Sequence, residues 1–157
     1  MRRRPGAEAV VCRDRRLTYA DLERQANQLA HALIAHGVTP QDPVAVLLGR
    51  DVEMVVALLG ILKAGAVYVP MDPAYPRDRL AYMISDIAPA AALTTTDVHV
   101  SLEVELPDGM PVLRLDDPAV LAGRPGTDPA TPRARFTPDA LAYVIYCLLY
   151  TSDAADE

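Results

Sequence analysis

Residues 62–76 read Leu62-Lys63-Ala64-Gly65-Ala66-Val67-Tyr68-Val69-Pro70-Met71-Asp72-Pro73-Ala74-Tyr75-Pro76. The stretch predicts the last turn of a helix, a glycine stop, a short buried strand and a stiff loop. Gly65 suits the position after a helix, where the backbone turns left-handed and a Cβ would clash. Val67, Tyr68 and Val69 favour extended backbone. Pro70, Pro73 and Pro76 end the strand and restrict the loop, since each fixes its own φ and biases the residue before it.

Upstream, residues 52–64 are apolar almost all round, which predicts a deeply buried helix with Asp51 as its N-cap. Residues 44–48 form a continuous apolar run, the mark of a parallel strand covered on both faces. Strand, helix and strand with short connections imply a right-handed crossover in a parallel sheet. Before them, residues 9–12 read as a strand and residues 13–16 as a charged turn. A helix capped by Thr18 follows, with Asp21 as a weaker capping-box partner. Its apolar stripe is Leu22, Ala26, Leu29, Ala30, Leu33 and Ile34, with Glu23, Arg24, Asn27 and Gln28 on the other side. Gly37 stops it.

Downstream, residues 77–87 read as a helix with Leu80, Met83, Ile84 and Ile87 on one face. Residues 91–95 and 112–115 read as strands. From Pro107 to Pro138 the chain holds seven prolines, a composition of loop or surface linker apart from that last strand. Residues 141–146 return to strand character. The expected class is therefore α/β, a mostly parallel sheet with helices on both faces.

The 157 residues, 51% hydrophobic and 23% charged, suffice for one globular core. A net charge of −6 gives no basic face for nucleic acid. Arg2-Arg3-Arg4 is followed by Pro5 and Gly6, not by the apolar core of a signal peptide. No apolar run reaches the length of about 20 residues that spans a bilayer. Cys12 and Cys147 read as free thiols, and a cytoplasmic setting is expected.

Few side chains invite a chemical role. Lys63, the chain's single lysine, sits where a cation meets the carboxyl end of a helix dipole, a structural place. Asp72 reads as an Asx-turn residue. Tyr68 and Tyr75 can line a cleft or pack. His31 and His36 lie five apart, outside the i,i+4 register of a metal pair, and His99 is remote. Asp116 and Asp117 read as solvating a turn. No metal site is expected.

The quoted stretch closely resembles the second core motif of the adenylation domains of nonribosomal peptide synthetases, within the adenylate-forming superfamily. Leu17-Thr18-Tyr19-Ala20-Asp21-Leu22 resembles the first core motif, and Leu141-Ala142-Tyr143-Val144-Ile145-Tyr146 the lead-in to the third. The resemblance implies the amino-terminal part of the large subdomain of the adenylate-forming fold. It implies activation of an amino acid with ATP and Mg²⁺, and transfer of the acyl group to a carrier protein's phosphopantetheine thiol. The implied partners are the rest of the adenylation domain and neighbouring carrier and condensation domains. Two alternatives remain: a fragment of a ligase for other acyl or aryl acids, and a non-catalytic α/β interaction module.

In the family, the strand matching residues 142–146 runs into a T-S-G-S-T-G-x-P-K-G loop. Its glycines let the backbone approach phosphate, while N–H groups and a lysine stabilise the charge. Here Cys147-Leu148-Leu149-Tyr150-Thr151-Ser152-Asp153-Ala154-Ala155-Asp156-Glu157 follows instead. Residues 147–157 are expected to be a non-native tail, the translation of a sequencing adapter, and residues 1–146 a partial adenylation domain; the competing reading is a genuine Tyr150-Thr151-Ser152 opening of that loop after a three-residue insertion. No position matches a catalytic, cofactor-binding or metal-binding residue of the family, so none is assigned and the isolated fragment is expected to be inactive.

Overall fold

The computed structural model describes residues 4–102, 104–129 and 139–147. Elements run β1 Glu8–Cys12, β2 Arg15–Thr18, α1 Tyr19–Ala35, β3 Pro43–Val46, α2 Val52–Ala64 and β4 Val67–Pro70. Then come α3 Arg77–Ile87, β5 Ala91–Thr94, α4 Thr96–Ser101, β6 Val112–Arg114 and α5 Pro118–Leu121. β1 and β2 form an antiparallel pair; the other four strands form a parallel sheet in the order β4-β3-β5-β6.

The predicted β3-α2-β4 unit is present. Asp51 accepts the Val52 N–H at 2.6 Å, and Gly65 ends α2 at φ 79°. β3 pairs in parallel with β4 on one side and β5 on the other. Side chains of β3 alternate between two cores. Val44 and Val46 meet α1 and α2, while Ala45 joins the core around Leu80, Met83 and Ile84 of α3. The sheet therefore has helices on both faces, as expected. α2 is less enclosed than its composition predicts: Val56, Ala57, Gly60 and Ile61 are buried, but Leu62 is 37% exposed. Met54, Val55 and Leu59 are only partly buried against the core, so apolarity alone overstated the helix's burial.

Three local readings are corrected. Arg15 and Arg16 belong to β2, not to a turn; the reversal is confined to Arg13, at φ 52°, and Asp14. Pairing of Cys12 with Arg15 and Val10 with Leu17 outweighs the charge of the segment. Arg15 then pairs with Glu53 of α2, which ties the hairpin to the sheet's helical layer. Secondly, Asn27 is 2% exposed, not on the open side of α1. Residues 124–128 cross α1 there: Asn27 Nδ2 donates to Gly126 O at 2.7 Å and Gln28 Nε2 to Arg124 O at 3.2 Å. His31 Nε2 lies 3.0 Å from Thr127 O. Ile34, placed on the stripe, is instead exposed. Thirdly, the proline-rich stretch is not all linker, because Asp117 caps the short helix α5 through the Ala119 N–H.

Residues 141–146 lie against β4 but form a single parallel bridge, Tyr68 with Tyr143. Tyr68 N–H donates to Ala142 O at 3.2 Å and Val144 N–H to Tyr68 O at 3.1 Å. The segment is thus an incipient fifth strand at the sheet edge. The tail reading, apart from Cys147, falls on residues outside those described, as does the linker reading for residues 130–138.

Candidate functional site

In an open parallel sheet, ligands sit in the crevice beyond the carboxyl ends of the strands. A cleft of about 500 Å³ lies there, between the β3–α2 loop, the β4–α3 loop and residues 145–146. Met54, Met71 and Met83 give it apolar walls, Gly49 and Arg50 form one rim, Asp72 and Tyr75 another, and Ile145 and Tyr146 the far side.

The walls are held by backbone pairing at the strand ends. Leu47 N–H donates to Leu93 O at 2.9 Å and Met71 N–H to Val46 O at 3.0 Å. Asp72 builds the loop beyond β4: its Oδ1 accepts the Ala74 N–H at 2.9 Å, the Asx turn expected from sequence. Tyr75 N–H donates to Asp72 O at 3.0 Å, and the Arg79 guanidinium sits 3.9 Å over the Tyr75 ring, an attraction of cation to ring face. On the far side, Tyr146 Oη donates to Asp86 Oδ2 at 2.5 Å. Partial burial, and then that carboxylate, push the phenol above its usual range, so it stays a neutral donor at ordinary pH.

Of the two tyrosines offered as cleft liners, Tyr75 is one and Tyr68 is not. Tyr68 stacks on Tyr143 at the sheet edge, ring centroids 5.5 Å apart and planes at 29°. Lys63 lies away from the cleft, in the structural place expected. Its ammonium pairs with Glu23 Oε1 at 2.8 Å and Asp128 Oδ1 at 2.6 Å, joining α1, α2 and the crossing segment. Burial alone would pull it down, but these carboxylates outweigh that and hold it above its usual value. Asp116 accepts the N–H of Thr96, the first residue of α4, at 2.9 Å, and Asp117 caps α5; the pair serves two helix starts and does more than solvate a turn. Cys12 and Cys147 are free thiols.

Sequence reasoning missed the Gly49-Arg50 rim and the contribution of Tyr146. The rule that sites form where parallel strands end would have pointed to the residues after β3.

The cleft's described lining does not fit a triphosphate or Mg²⁺. Arg50 supplies one guanidinium, and Asp72 one carboxylate whose Oδ1 already serves the turn. Among the described residues no group of three His, Cys, Asp or Glu is placed to hold a metal ion. No step of a reaction is therefore drawn through these side chains; what they provide is a rigid apolar wall with polar rims.

The model for the AMP-binding enzyme family matches residues 1–152. A linear gramicidin synthase of Brevibacillus parabrevis is 45% identical over 142 residues, covering 90% of this chain and 2% of that protein. A dimodular nonribosomal peptide synthase of Bacillus subtilis is 43% identical over 149 residues, covering 91% and 6%. The AMPPNP-bound crystal structure of the nonribosomal peptide synthetase FmoA3 superposes with a TM-score of 0.80 at 37% identity, covering 93% of this chain and 15% of that one. The chain thus spans only a few per cent of the length of these curated relatives. Its fold is that of the adenylate-forming enzymes, and the chain belongs to the AMP-binding enzyme family.

Proposed function

We propose that this chain is the amino-terminal part of the large subdomain of an adenylation domain in a nonribosomal peptide synthetase. The native portion is residues 1–146, and residues 147–157 are a non-native tail. The parent protein joins an amino acid's carboxylate to ATP, with Mg²⁺, giving an acyl-adenylate and pyrophosphate. It then passes the acyl group to a carrier protein's phosphopantetheine thiol. Its partners are the rest of the adenylation domain and the carrier and condensation domains of a cytoplasmic assembly line, not nucleic acid or membrane. Among the described residues no helix is long and apolar enough to cross a membrane.

The observation that carries this reading is identity of 43–45% to nonribosomal peptide synthetases over nine tenths of the chain. The AMPPNP-bound neighbour supports nucleotide use. This chain's own share is scaffolding. Gly65 turns a buried helix into a covered strand, and Asp72 folds the loop that bounds the cleft. Catalysis by such enzymes rests on holding the reactants in line and stabilising charge on phosphate oxygens. The groups that do this belong to the remainder of the parent domain. Bare apolar side chains at residues 141–145 speak against a free-standing module.

Two exchange assays test the reading. The isolated chain should give no ATP–pyrophosphate exchange above background with any amino acid. Residues 1–146, grafted in place of the aligned segment of the FmoA3 adenylation domain, should retain amino-acid-dependent exchange. Robust exchange by the isolated chain, or none by a folded chimera, overturns it.

A further inference from the structure

Gln41 stands in a conformation that its residue type seldom takes. It lies just before β3 with φ at 71°. Left-handed backbone is uncommon outside glycine, and asparagine and aspartate enter it more readily than glutamine does. Such geometry persists where the surrounding contacts over-determine it. Here the main chain is pinned first. Gln41 N–H donates to Gly65 O at 2.8 Å, and Val67 N–H donates to Asp42 O at 2.9 Å. These bonds tie the entrance of β3 to the entrance of β4.

The side chain then reaches past β4 to the segment on its other side. Leu141 N–H donates to Gln41 Oε1 at 2.9 Å, and Gln41 Nε2 donates to Leu141 O at 3.3 Å. One side-chain amide thus takes both main-chain groups of a residue 100 positions later, as a neighbouring strand would. Elsewhere residues 141–146 are thinly held. Among the described residues their ladder is one bridge, in which Tyr68 donates to Ala142 O and accepts from Val144 N–H. The Tyr68 and Tyr143 rings stack, and Tyr146 Oη meets Asp86. A single bridge specifies register weakly. A slip of one residue would turn Val144 and Tyr146 out of the α3-side core. A slip of two would carry Tyr146 about 6.6 Å along the sheet. Either slip takes Leu141 away from Gln41.

We propose that Gln41 is a positioning residue: its amide fixes Leu141 and so sets the register in which residues 141–146 dock on β4, which brings Ile145 and Tyr146 to the cleft. This role goes beyond the proposed function and needs no group from the parent enzyme. Both amide bonds lie at an exposed surface, where exchange with water leaves each a small net effect on stability. The left-handed backbone works against stability as well. Gln41 therefore governs where one segment sits while adding little to the fold as a whole, and substitution separates the two effects.

Amide hydrogen exchange in the 157-residue chain, read residue by residue by NMR, tests this. Gln41→Gly removes the amide and suits the positive φ. Gln41→Asn suits it too, but its amide is one carbon short of Leu141. In both variants the Tyr68 and Val144 amides should exchange at least about tenfold faster than in the parent chain, because local opening frees them. The Leu47 and Met71 amides, paired inside the sheet, should keep their exchange rates within about twofold, as amides that open only with the core do. The urea midpoint of Gln41→Gly should change little, since relief of strain and the added freedom of the unfolded chain oppose each other. Nuclear Overhauser contacts between the Tyr146 ring and α3 should be present in the parent and weaken in both variants. Unchanged exchange at Tyr68 and Val144 in either variant overturns the inference. Loss of protection at Leu47 and Met71 alongside them overturns it as well, since Gln41 would then support the whole fold. So does a parent chain in which the Tyr68 and Val144 amides are already unprotected.

Discussion

Gly60 is the point at which α1 and α2 come closest to conflict. A Cβ built there would lie 2.7 Å from Leu29 Cδ2, 2.8 Å from Cγ and 2.9 Å from Cβ. Carbon atoms prefer about 3.5–4.0 Å. The Leu29 Cγ and Cδ2 atoms can turn, although the side chain is fully buried; its Cβ cannot, so the two helices must part. Gly60→Ala gains about 1 kcal/mol in helix propensity. Overpacking costs typically 1–3 kcal/mol. We expect a net loss of about 1 kcal/mol, a fall in the thermal midpoint of about 2–4 °C for a chain of this size. The assay is far-UV circular dichroism on heating and in urea. Gly49→Ala is the control, because no atom lies within 4 Å of its added Cβ. It should change stability by less than about 0.5 kcal/mol. Leu29→Ala should cost about 2–5 kcal/mol. The double variant should lose less than the two single losses together, since the new methyl fills part of the cavity and two of three clashes vanish; coupling of at least about 0.5 kcal/mol is expected. A raised midpoint for Gly60→Ala, or strict additivity, would refute the close-approach argument.

Other perturbations test separate parts of the structure. Asp51→Ala removes the acceptor of the Val52 N–H and should cost about 1 kcal/mol in denaturant; Asp51→Asn should restore most of it. At alkaline pH, Tyr146 and Lys63 act with the same sign, because both are held above their ordinary values of 10.0 and 10.5. Their contributions are complete below those values and fade as pH rises past them, when the unfolded chain gives up protons that the folded chain keeps. Urea midpoints should therefore decline above about pH 10, and Tyr146→Phe with Lys63→Met should flatten that decline, each ionic contribution being no more than about 1 kcal/mol after screening. An unchanged slope in the double variant would count against both assignments.

Much of this fold is legible because local signals agreed with the tertiary outcome. Asp51 and Gly65 bracket α2, and the unbroken run at residues 44–48 marks a strand with neighbours on both sides. Both are decided within a dozen residues. Asn27 shows what was not legible. Its helical position faces away from the apolar stripe, and only a segment nearly a hundred residues later buries it. That segment is rich in proline and glycine and carries no periodicity. Main-chain carbonyls, which any sequence offers, hold it to Asn27 and Gln28, and the Asp128 carboxylate adds a pair with Lys63. The Arg15–Arg16 strand was hidden for a related reason, since pairing with β1 and the Glu53 carboxylate stabilise residues whose charge argues for a turn.

The site divides in the same way. Asp72 and its prolines spell out a turn locally, and the turn is there. The cleft is not local, because its walls come from the ends of β3 and β4 and from a return segment some 70 residues further on. Periodicity cannot announce such a juxtaposition; strand direction can. Once β4 and residues 141–146 are known to be parallel neighbours, Ile145 and Tyr146 must reach the same end of the sheet as Met71 and Asp72. The chain leaving Tyr146 then emerges at the mouth of the cleft. The ends of the parallel strands thus bring Tyr146, fixed by Asp86, to the same cleft as the loop that Asp72 folds.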